Sequence, residues 1–298
     1  MKYGVHRWTW ADDFNRIPLE TFLEQARSTG AEAAEFKIPD AALQQNKTRA
    51  REIRQTAENL GLTLLCNAGA PKGLDMCSAD PYLQKYAREH LLRVIQGAEL
   101  IGVRKVSGIL HSNWPARYDD QVITPEEKAE RTKRSIENIR MVMPVAEECG
   151  VQLNFEIVNR FEHYVLNTVE EGISFCEQVD SKCCGLLLDV FHMNIEEDSI
   201  PEAIRRAKGH IGHFHVSESN RKVPYHTDKI NWPEIGRALR DVGYDDTVVL
   251  EAALIFDGSD TYCMRMWRNL IPDTSLEARL QMLREGIGYM KGIMKSEE

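Results

Sequence analysis

The sequence lacks any apolar run that approaches the roughly 18–20 residues needed to span a bilayer, and its opening stretch, MKYGVHRWTW, has no signal-peptide core. It also lacks a C-x-x-C pair, because its seven cysteines are scattered along the chain. Scattered cysteines in odd number are typical of reduced thiols in the cytosol. We therefore expect a cytoplasmic protein with no membrane partner.

Basic charge is also scarce, with 37 Lys and Arg against 46 Asp and Glu and a net charge of −9 at pH 7. Binding to nucleic acid needs a basic face, so the charge balance predicts no nucleic-acid partner. Hydrophobic residues make up 43% of the chain and charged residues 28%, which is typical of a globular protein. No linker or low-complexity stretch divides the chain, so residues 1–298 are predicted to form a single domain.

One unit recurs along the chain: a helix-like segment ends at a glycine, and a short apolar run follows at once. The glycines of this pattern are Gly30, Gly61, Gly102, Gly150, Gly209 and Gly243. Glycine is the usual residue just after a helix end, because it adopts positive φ without a Cβ penalty. Helix starts are marked by capping residues with a glutamate three positions later, at Thr124, Thr168 and Ser199.

The apolar runs predict strands near residues 3–8, 31–36, 62–67, 103–110, 151–158, 185–190, 210–217 and 246–252, with a last helix near 275–294. Eight β-then-α units with short turns after the helices predict an α/β fold, a single (β/α)8 TIM barrel. A doubly wound open sheet is the alternative, but no glycine-rich phosphate-binding turn follows the first strand.

Polar residues occur where such a barrel keeps its chemistry, at the C-terminal ends of the strands. In the fifth strand, VQLNFE, alternation predicts that Gln152, Asn154 and Glu156 point into the barrel. Asp189 ends the sixth predicted strand and Glu251 ends the eighth. In the seventh strand, two histidines share one face, and His215 is the one nearer the rim.

Four consecutive strands therefore each deliver one potential metal ligand to the same rim: Glu156, Asp189, His215 and Glu251. Buried like charges so close together raise one another's pKa unless a cation lies between them. Three carboxylates and one imidazole suit Mn²⁺, Mg²⁺ or Co²⁺. Taken singly, each residue has a structural alternative, as a helix cap, a salt bridge or a core histidine. Spacing alone predicts a metal-dependent barrel enzyme and no more.

Three segments carry a resemblance to a known family: FEIVNRFEHY (155–164), LDVFHMNIEE (188–197) and GHFHVSESNR (212–221). Together they resemble the ketose 3-epimerases, the D-tagatose 3-epimerase and D-psicose (allulose) 3-epimerase group within the xylose isomerase-like barrels. The matching segments lie in the second half of the chain, whereas the order of eight units covers all of it.

The resemblance implies that Glu156, Asp189, His215 and Glu251 hold one divalent ion, usually Mn²⁺, and that Glu156 and Glu251 also transfer the proton. It implies epimerisation of a small-molecule ketose at carbon 3 through a cis-enediolate, by a homodimer or homotetramer. It further implies that three residues contact the reacting end of the sugar: Glu162, His192 and Arg221.

Other positions depart from the family pattern. The family places Pro-Phe after the glutamate of the eighth strand, whereas Ala252 and Ala253 follow it here. The opening VHRWTW differs from a tyrosine-rich first strand, which makes His6 a candidate for altered specificity. Trp114, in the loop HSNWPARYDD, is a candidate lid over the substrate or a subunit contact. Cys66, at the end of the third strand, is a candidate pocket residue or a buried core residue.

These departures leave other functions open. On the same metal-binding scaffold, the nearest alternatives are aldose–ketose isomerisation and an inosose dehydratase-type reaction. An apurinic endonuclease of the same superfamily would need more clustered ligands and a basic surface. A non-catalytic sugar-binding barrel would bind sugar without turning it over.

Overall fold

Short strands and longer helices alternate along the chain in a computed structural model of the protein. The structure describes residues 1–11, 16–69, 71, 73–116, 122–225, 229–257 and 265–295. Within these ranges the strands are β1 (Lys2–His6), β2 (Ala33–Lys37), β3 (Thr63–Asn67), β4 (Lys105–Gly108), β5 (Gln152–Glu156), β6 (Cys184–Asp189), β7 (Ile211–Val216) and β8 (Thr247–Leu250). The helices are α1 (Leu19–Ser28), α2 (Asp40–Leu43), α3 (Lys47–Leu60), α4 (Pro81–Leu100), α5 (Pro125–Cys149), α6 (Val169–Val179), α7 (Val190–Glu196), α8 (Ile200–Arg206), α9 (Trp232–Asp241) and α10 (Leu276–Lys295), and a 3₁₀ turn (Arg7–Trp10) follows β1.

The strands form one closed barrel in which each pairs in parallel with the next and β8 pairs with β1. This closure confirms the predicted (β/α)8 barrel and excludes the open-sheet alternative. The predicted end of β3 at residue 67 is confirmed, and the other predicted strand boundaries differ from the observed ones by one or two residues. Most of the differences are overextensions, because apolar residues that pack at the ends of a strand extend the pattern beyond the paired ladder. In particular, β8 ends at Leu250, so Glu251 directly follows the strand.

The predicted helix boundaries are confirmed at the capping residues. All six glycines of the recurring unit adopt positive φ, between 61° and 86°. The side chains of Thr124, Thr168 and Ser199 each accept a hydrogen bond from the backbone N–H three residues later, at 3.2, 3.3 and 3.5 Å. These contacts satisfy backbone groups that a helix leaves unpaired at its ends.

The alternation predicted for β5 is also confirmed. Leu153 and Phe155 are fully buried in the core between the strands and the helices. Asn154 points inward, and its side chain fills the space beside β7 so closely that a Cβ on Gly212 would lie 1.8 Å from its Oδ1. Only glycine fits there. A separate apolar cluster, Ala33, Leu65 and Val249, packs inside the barrel.

Two further observations bear on the predictions about composition. Across the ranges that the structure describes, no helix combines the length and the apolar character that crossing a membrane requires. Six of the seven cysteines lie in those ranges, and all six are free thiols. Free thiols agree with the predicted reduced state.

Candidate active site and metal centre

The four predicted metal ligands lie together at the C-terminal rim of the barrel. Glu156 ends β5, Asp189 ends β6, His215 is the second-last residue of β7, and Glu251 follows β8. One donor atom from each lies within 4.8 Å of the donor atoms of the other three. Neighbouring parallel strands end at the same rim, so barrel closure alone gathers residues that are distant in sequence.

This donor set fits a divalent cation. Donor atoms bound to such an ion at about 2.0–2.6 Å lie no more than about 5 Å from one another, a spacing that these four satisfy. Asp189 is fully buried and His215 is 2% exposed. In the described part of the chain, Nδ1 of His215 is buried with no hydrogen-bond partner. A cation would satisfy this lone pair and offset the repulsion between the carboxylates.

The three carboxylates differ in how well the protein stabilises their charge. Burial is the main cause that raises the pKa of Glu156, and the charge of Glu251 adds to the rise. Burial also raises the pKa of Asp189, although Arg221 opposes the shift. At Glu251 the effect of burial is outweighed by Arg221 and His215, which hold the pKa well below its ordinary value. At the rim, the protein already stabilises the negative charge of Glu251. A further positive charge would stabilise the charges of Glu156 and Asp189.

Arg221 reaches these carboxylates from the loop that follows β7. Its Nη1 donates hydrogen bonds to Asp189 Oδ2 at 2.5 Å and to Glu251 Oε2 at 2.6 Å. The guanidinium carbon lies 4.0 Å from the centre of the Phe191 ring, a cation–π distance. The Arg221 backbone adopts a φ of 64°, which is uncommon for a residue other than glycine. The loop therefore holds a planar group of donors beside the donor set, where it can orient an oxygen-rich ligand.

His192 lies on the first turn of α7, three residues after Asp189. Its Nδ1 accepts a hydrogen bond from the backbone N–H of Asn159 at 3.2 Å, and its Nε2 lies 3.2 Å from Nη2 of Arg221. Nε2 in turn lies 3.5 Å from Glu156 Oε1 and 3.5 Å from Asp189 Oδ2. With 2% of its surface exposed, His192 is held in place at the rim by contacts to both of its ring nitrogens.

Glu162 and Trp114 form the next contact outward. The indole Nε1 of Trp114 donates to Glu162 Oε2 at 3.0 Å, and Asn159 Nδ2 donates to Glu162 Oε1 at 3.3 Å. Glu162 Oε1 lies 3.8 Å from Nδ1 of His192. The structure therefore brings Glu162, His192 and Trp114 together beside the rim. The end of the Trp114 loop, at residues 117–121, lies outside the described residues.

His6 lies beside the rim donors, whereas Cys66 lies in the core. The ring of His6 is fully buried, and its centre lies 5.9 Å from that of His215. Its Nδ1 accepts from the backbone N–H of Trp8 at 3.2 Å, which leaves Nε2 as a buried N–H with no partner among the described residues. Burial lowers the pKa of His6 to about 4, so the ring is neutral at pH 7. Cys66 instead packs in the core on the helix side of β3, while its neighbour Leu65 points inward.

Sequence reasoning missed two residues of the site. Glu35 in β2 is fully buried, and its Oε2 lies 2.8 Å from His213 Nε2 and 2.9 Å from His215 Nε2. Asn159 holds both His192 and Glu162 through the contacts described above. A charge inside the apolar run AEAAEF was the available signal for Glu35. Nothing in the sequence around Asn159 distinguishes it from an ordinary loop residue.

Comparisons with known proteins identify the family and the relatives that share this architecture. The family model for the xylose isomerase-like TIM barrel matches residues 23–261. A D-psicose 3-epimerase from Enterocloster bolteae is 35% identical over 285 residues, which cover 93% of this chain and 91% of the relative. An L-ribulose 3-epimerase from Mesorhizobium japonicum is 34% identical, with 99% and 97% covered. The crystal structure of D-psicose 3-epimerase with D-tagatose from Clostridium cellulolyticum H10 superposes with a TM-score of 0.93 at 31% identity, covering 99% of this chain and 100% of that one.

Proposed function

The chain belongs to the ketose 3-epimerases of the xylose isomerase-like TIM barrel family, and on that premise we propose that Glu156 and Glu251 transfer the proton at carbon 3 of a ketose. The enzyme is accordingly an isomerase. The observation that carries the proposal is the group of four donor atoms within 4.8 Å of one another at the barrel rim. Both proposed proton carriers belong to that group.

Epimerisation requires that a proton leaves carbon 3 on one face of the sugar and returns on the opposite face. Glu156 ends β5 and Glu251 follows β8, and two strands lie between them in the barrel. The two carboxylates can therefore approach a sugar above the lumen from different sides. Each then acts as general base in one direction and as general acid in the other, with a cis-enediolate between the two transfers.

We propose that Glu156, Asp189, His215 and Glu251 hold one divalent ion, with Mn²⁺ as the first candidate and Mg²⁺ or Co²⁺ compatible with the same donors. When bound, such an ion supplies Lewis-acid stabilisation of negative charge on the sugar oxygens. The rim side chains of Arg221 and His192 would orient the oxygens at the reacting end.

The residues further out would bind the rest of the sugar. Glu162 can accept hydrogen bonds from sugar hydroxyls, and Trp114, held to Glu162 at 3.0 Å, would cover the substrate. The relatives are named for D-psicose and L-ribulose, so we propose a ketohexose or ketopentose substrate. Ala252 and Ala253 are 0% and 2% exposed and add little apolar surface beside Glu251. This feature favours a pocket with different selectivity from that of relatives with an aromatic residue there.

The same two alanines favour two alternative reactions on the same centre: aldose–ketose isomerisation and an inosose dehydratase-type reaction. Both start by abstracting a proton next to a carbonyl, as epimerisation does. They differ in which carbon exchanges its proton and in the product that forms, so an analysis of products separates them.

The function is tested by proton exchange. In D₂O, the Mn²⁺-loaded enzyme is expected to introduce one deuterium at carbon 3 of D-psicose, D-tagatose or L-ribulose and to form the 3-epimer. NMR and carbohydrate chromatography measure label and product together. An aldose product with deuterium at carbon 2, or deuterium at carbon 1 of the ketose, would indicate isomerisation, and loss of water would indicate dehydration. No exchange with any sugar of the panel would contradict the proposal.

His6 tests substrate recognition. Because its Nε2–H is buried without a partner, we expect it to donate to a sugar hydroxyl, and His6→Phe removes that donor while it keeps an aromatic ring. Loss of one neutral hydrogen bond of about 0.5–1.5 kcal/mol predicts a KM raised about 2–12-fold. We expect Mn²⁺ affinity to stay unchanged.

Steady-state kinetics and calorimetry check this result. Cys66→Ala is the matched control, because it removes buried volume on the outer face of β3 and should leave KM unchanged. An unchanged KM in His6→Phe would show that His6 serves packing alone.

We also propose a cytoplasmic location, where free thiols such as the six described here persist, and assembly as a homodimer or homotetramer. Size-exclusion chromatography with light scattering measures the assembly directly.

A further inference from the structure

Glu35 is a buried charge whose contacts reach the metal centre. It lies on β2 in register with His6 on β1 and Leu65 on β3, and it points into the barrel below the rim. The residue is 0% exposed. Within the described part of the chain, its ion pairs are with two histidines of β7, at 2.8 Å to His213 and 2.9 Å to His215. A carboxylate this deep needs donors, and these imidazoles supply them.

The hydrogen-bond pattern determines where the ring protons lie. An ionised carboxylate only accepts, so an imidazole that bonds to Glu35 Oε2 donates through Nε2–H; with both rings in this form, the two Nε2 atoms, 3.1 Å apart, are neighbouring donors to one oxygen. The Nδ1 of His213 lies 3.3 Å from the hydroxyl of Thr247, which also lies 3.2 Å from Asp246 Oδ1. The Nδ1 of His215 is left as a lone pair without a hydrogen-bond partner. That lone pair lies 3.4 Å from Glu251 Oε2, among the proposed metal ligands.

We propose that Glu35 is a positioning residue: it holds His215 as the Nε2–H tautomer and so presents Nδ1 to the metal ion. The inference rests on the proposed metal centre and deepens it. A metal-bound imidazole commonly donates its other N–H to a carboxylate, which fixes the ring and raises the basicity of the ligand nitrogen. Here the carboxylate comes from the opposite part of the chain, 180 residues away, and closure of the barrel brings it into reach.

A competing arrangement is a second metal ion held by Glu35, His213 and His215, whose donor atoms also lie close together. Two N–H donors on one oxygen account for the 2.8 and 2.9 Å contacts without an ion. A second ion would require both nitrogens of His215 to bind metal at once. Metal stoichiometry therefore separates the two arrangements.

The first measurement is made on the wild-type protein, with one variant used only to assign the signals. In the wild-type protein with ¹⁵N-labelled histidines and bound Mg²⁺, which is diamagnetic, long-range ¹H–¹⁵N spectra are expected to show His215 with its proton on Nε2, assigned by comparison with His215→Asn. A proton on Nδ1 of His215 would overturn the proposal, whatever any variant does.

The second measurement is Mn²⁺ binding by calorimetry and by electron paramagnetic resonance, without sugar. Loss of the outer carboxylate partner predicts that Glu35→Gln binds Mn²⁺ about 10–100-fold more weakly and populates a mixture of His215 tautomers. Thr247→Val is the matched control, because it removes a polar group from the same network beside His213 and should leave both readouts unchanged.

The outcomes distinguish this inference from the function on which it rests. If wild-type protein binds no Mn²⁺, the proposed metal centre itself fails. If the wild type binds one ion and Glu35→Gln binds it within about twofold of wild-type affinity, only the role of Glu35 fails, since a lost partner should cost at least about tenfold. Two ions per wild-type chain, falling to one in Glu35→Gln, would make Glu35 a ligand and overturn the positioning role.

Discussion

Replacing Glu156 or Glu251 with glutamine is expected to lower the turnover number for ketose epimerisation by about 10²–10⁴-fold, the usual contribution of a positioned general acid or base. Glutamine keeps the volume of the side chain and an oxygen ligand of lower charge, so turnover is measured at saturating Mn²⁺, but the amide cannot accept the proton. Sugar binding should therefore persist, because Arg221, His192 and Glu162 are unchanged. Calorimetry measures binding, and chromatography of the epimers measures turnover.

The two variants should also differ from each other in a diagnostic way. With one carboxylate intact, the epimer whose C3–H faces it can still exchange that proton with solvent, although it cannot form product. Glu156→Gln and Glu251→Gln should therefore retain exchange with opposite epimers, as measured by NMR in D₂O. This result would assign each carboxylate to one face of the sugar.

Glu234→Gln is the matched control, since Glu234 forms ion pairs with Arg205 and Arg237 on the outside of the barrel. Its turnover should equal that of the wild type. Either active-site variant with turnover near the wild-type value would show that its carboxylate does not carry the proton. If the wild type turns the sugar over and both variants bind it without that turnover, a non-catalytic binding barrel is excluded.

Removing the divalent ion is expected to abolish epimerisation and to lower the melting temperature. Three carboxylates share one rim, and the buried Asp189 and the more exposed Glu156 both have raised pKa values. An ion at 100 times its dissociation constant stabilises the native state by about 2.7 kcal/mol. At about 2 °C per kcal/mol for a chain of this size, that corresponds to about 5 °C.

Dialysis against EDTA, followed by scanning calorimetry and activity assays with and without added Mn²⁺, checks this prediction. Asp189→Asn is the matched variant: it should lose most of the shift produced by Mn²⁺, because one of the four donors loses its charge. Full turnover in protein shown by elemental analysis to be metal-free would contradict a metal-dependent reaction.

How far the sequence predicts this protein depends on whether a signal is local. Glycines after helices and capping residues before them act within a few residues, and both are confirmed in the structure. The alternation of β5 is readable because one face is apolar and the other polar. Asp189, His215 and Glu251 could be placed near one rim because parallel strands of a barrel end together.

The prediction for Cys66 shows where a local signal fails. Both faces of β3 are buried, with Leu64 and Cys66 toward the helices and Leu65 toward the lumen. When both faces are apolar, the sequence does not reveal which one points inward. A shift of one residue exchanges the faces, so the sequence leaves a pocket residue and a core residue as alternatives for Cys66, and the structure places it in the core.

The sequence by itself determined the eight-unit barrel, the identity of the four rim donors and, through its resemblance to the ketose 3-epimerases, the class of reaction. Only the tertiary structure decided which side chains share a hydrogen bond across the lumen. Glu35 meets His213 and His215 over separations of 178 and 180 residues, and Asn159 reaches His192 across 33. No local pattern encodes such pairs, because they exist only once strands that are distant in sequence lie together in the barrel.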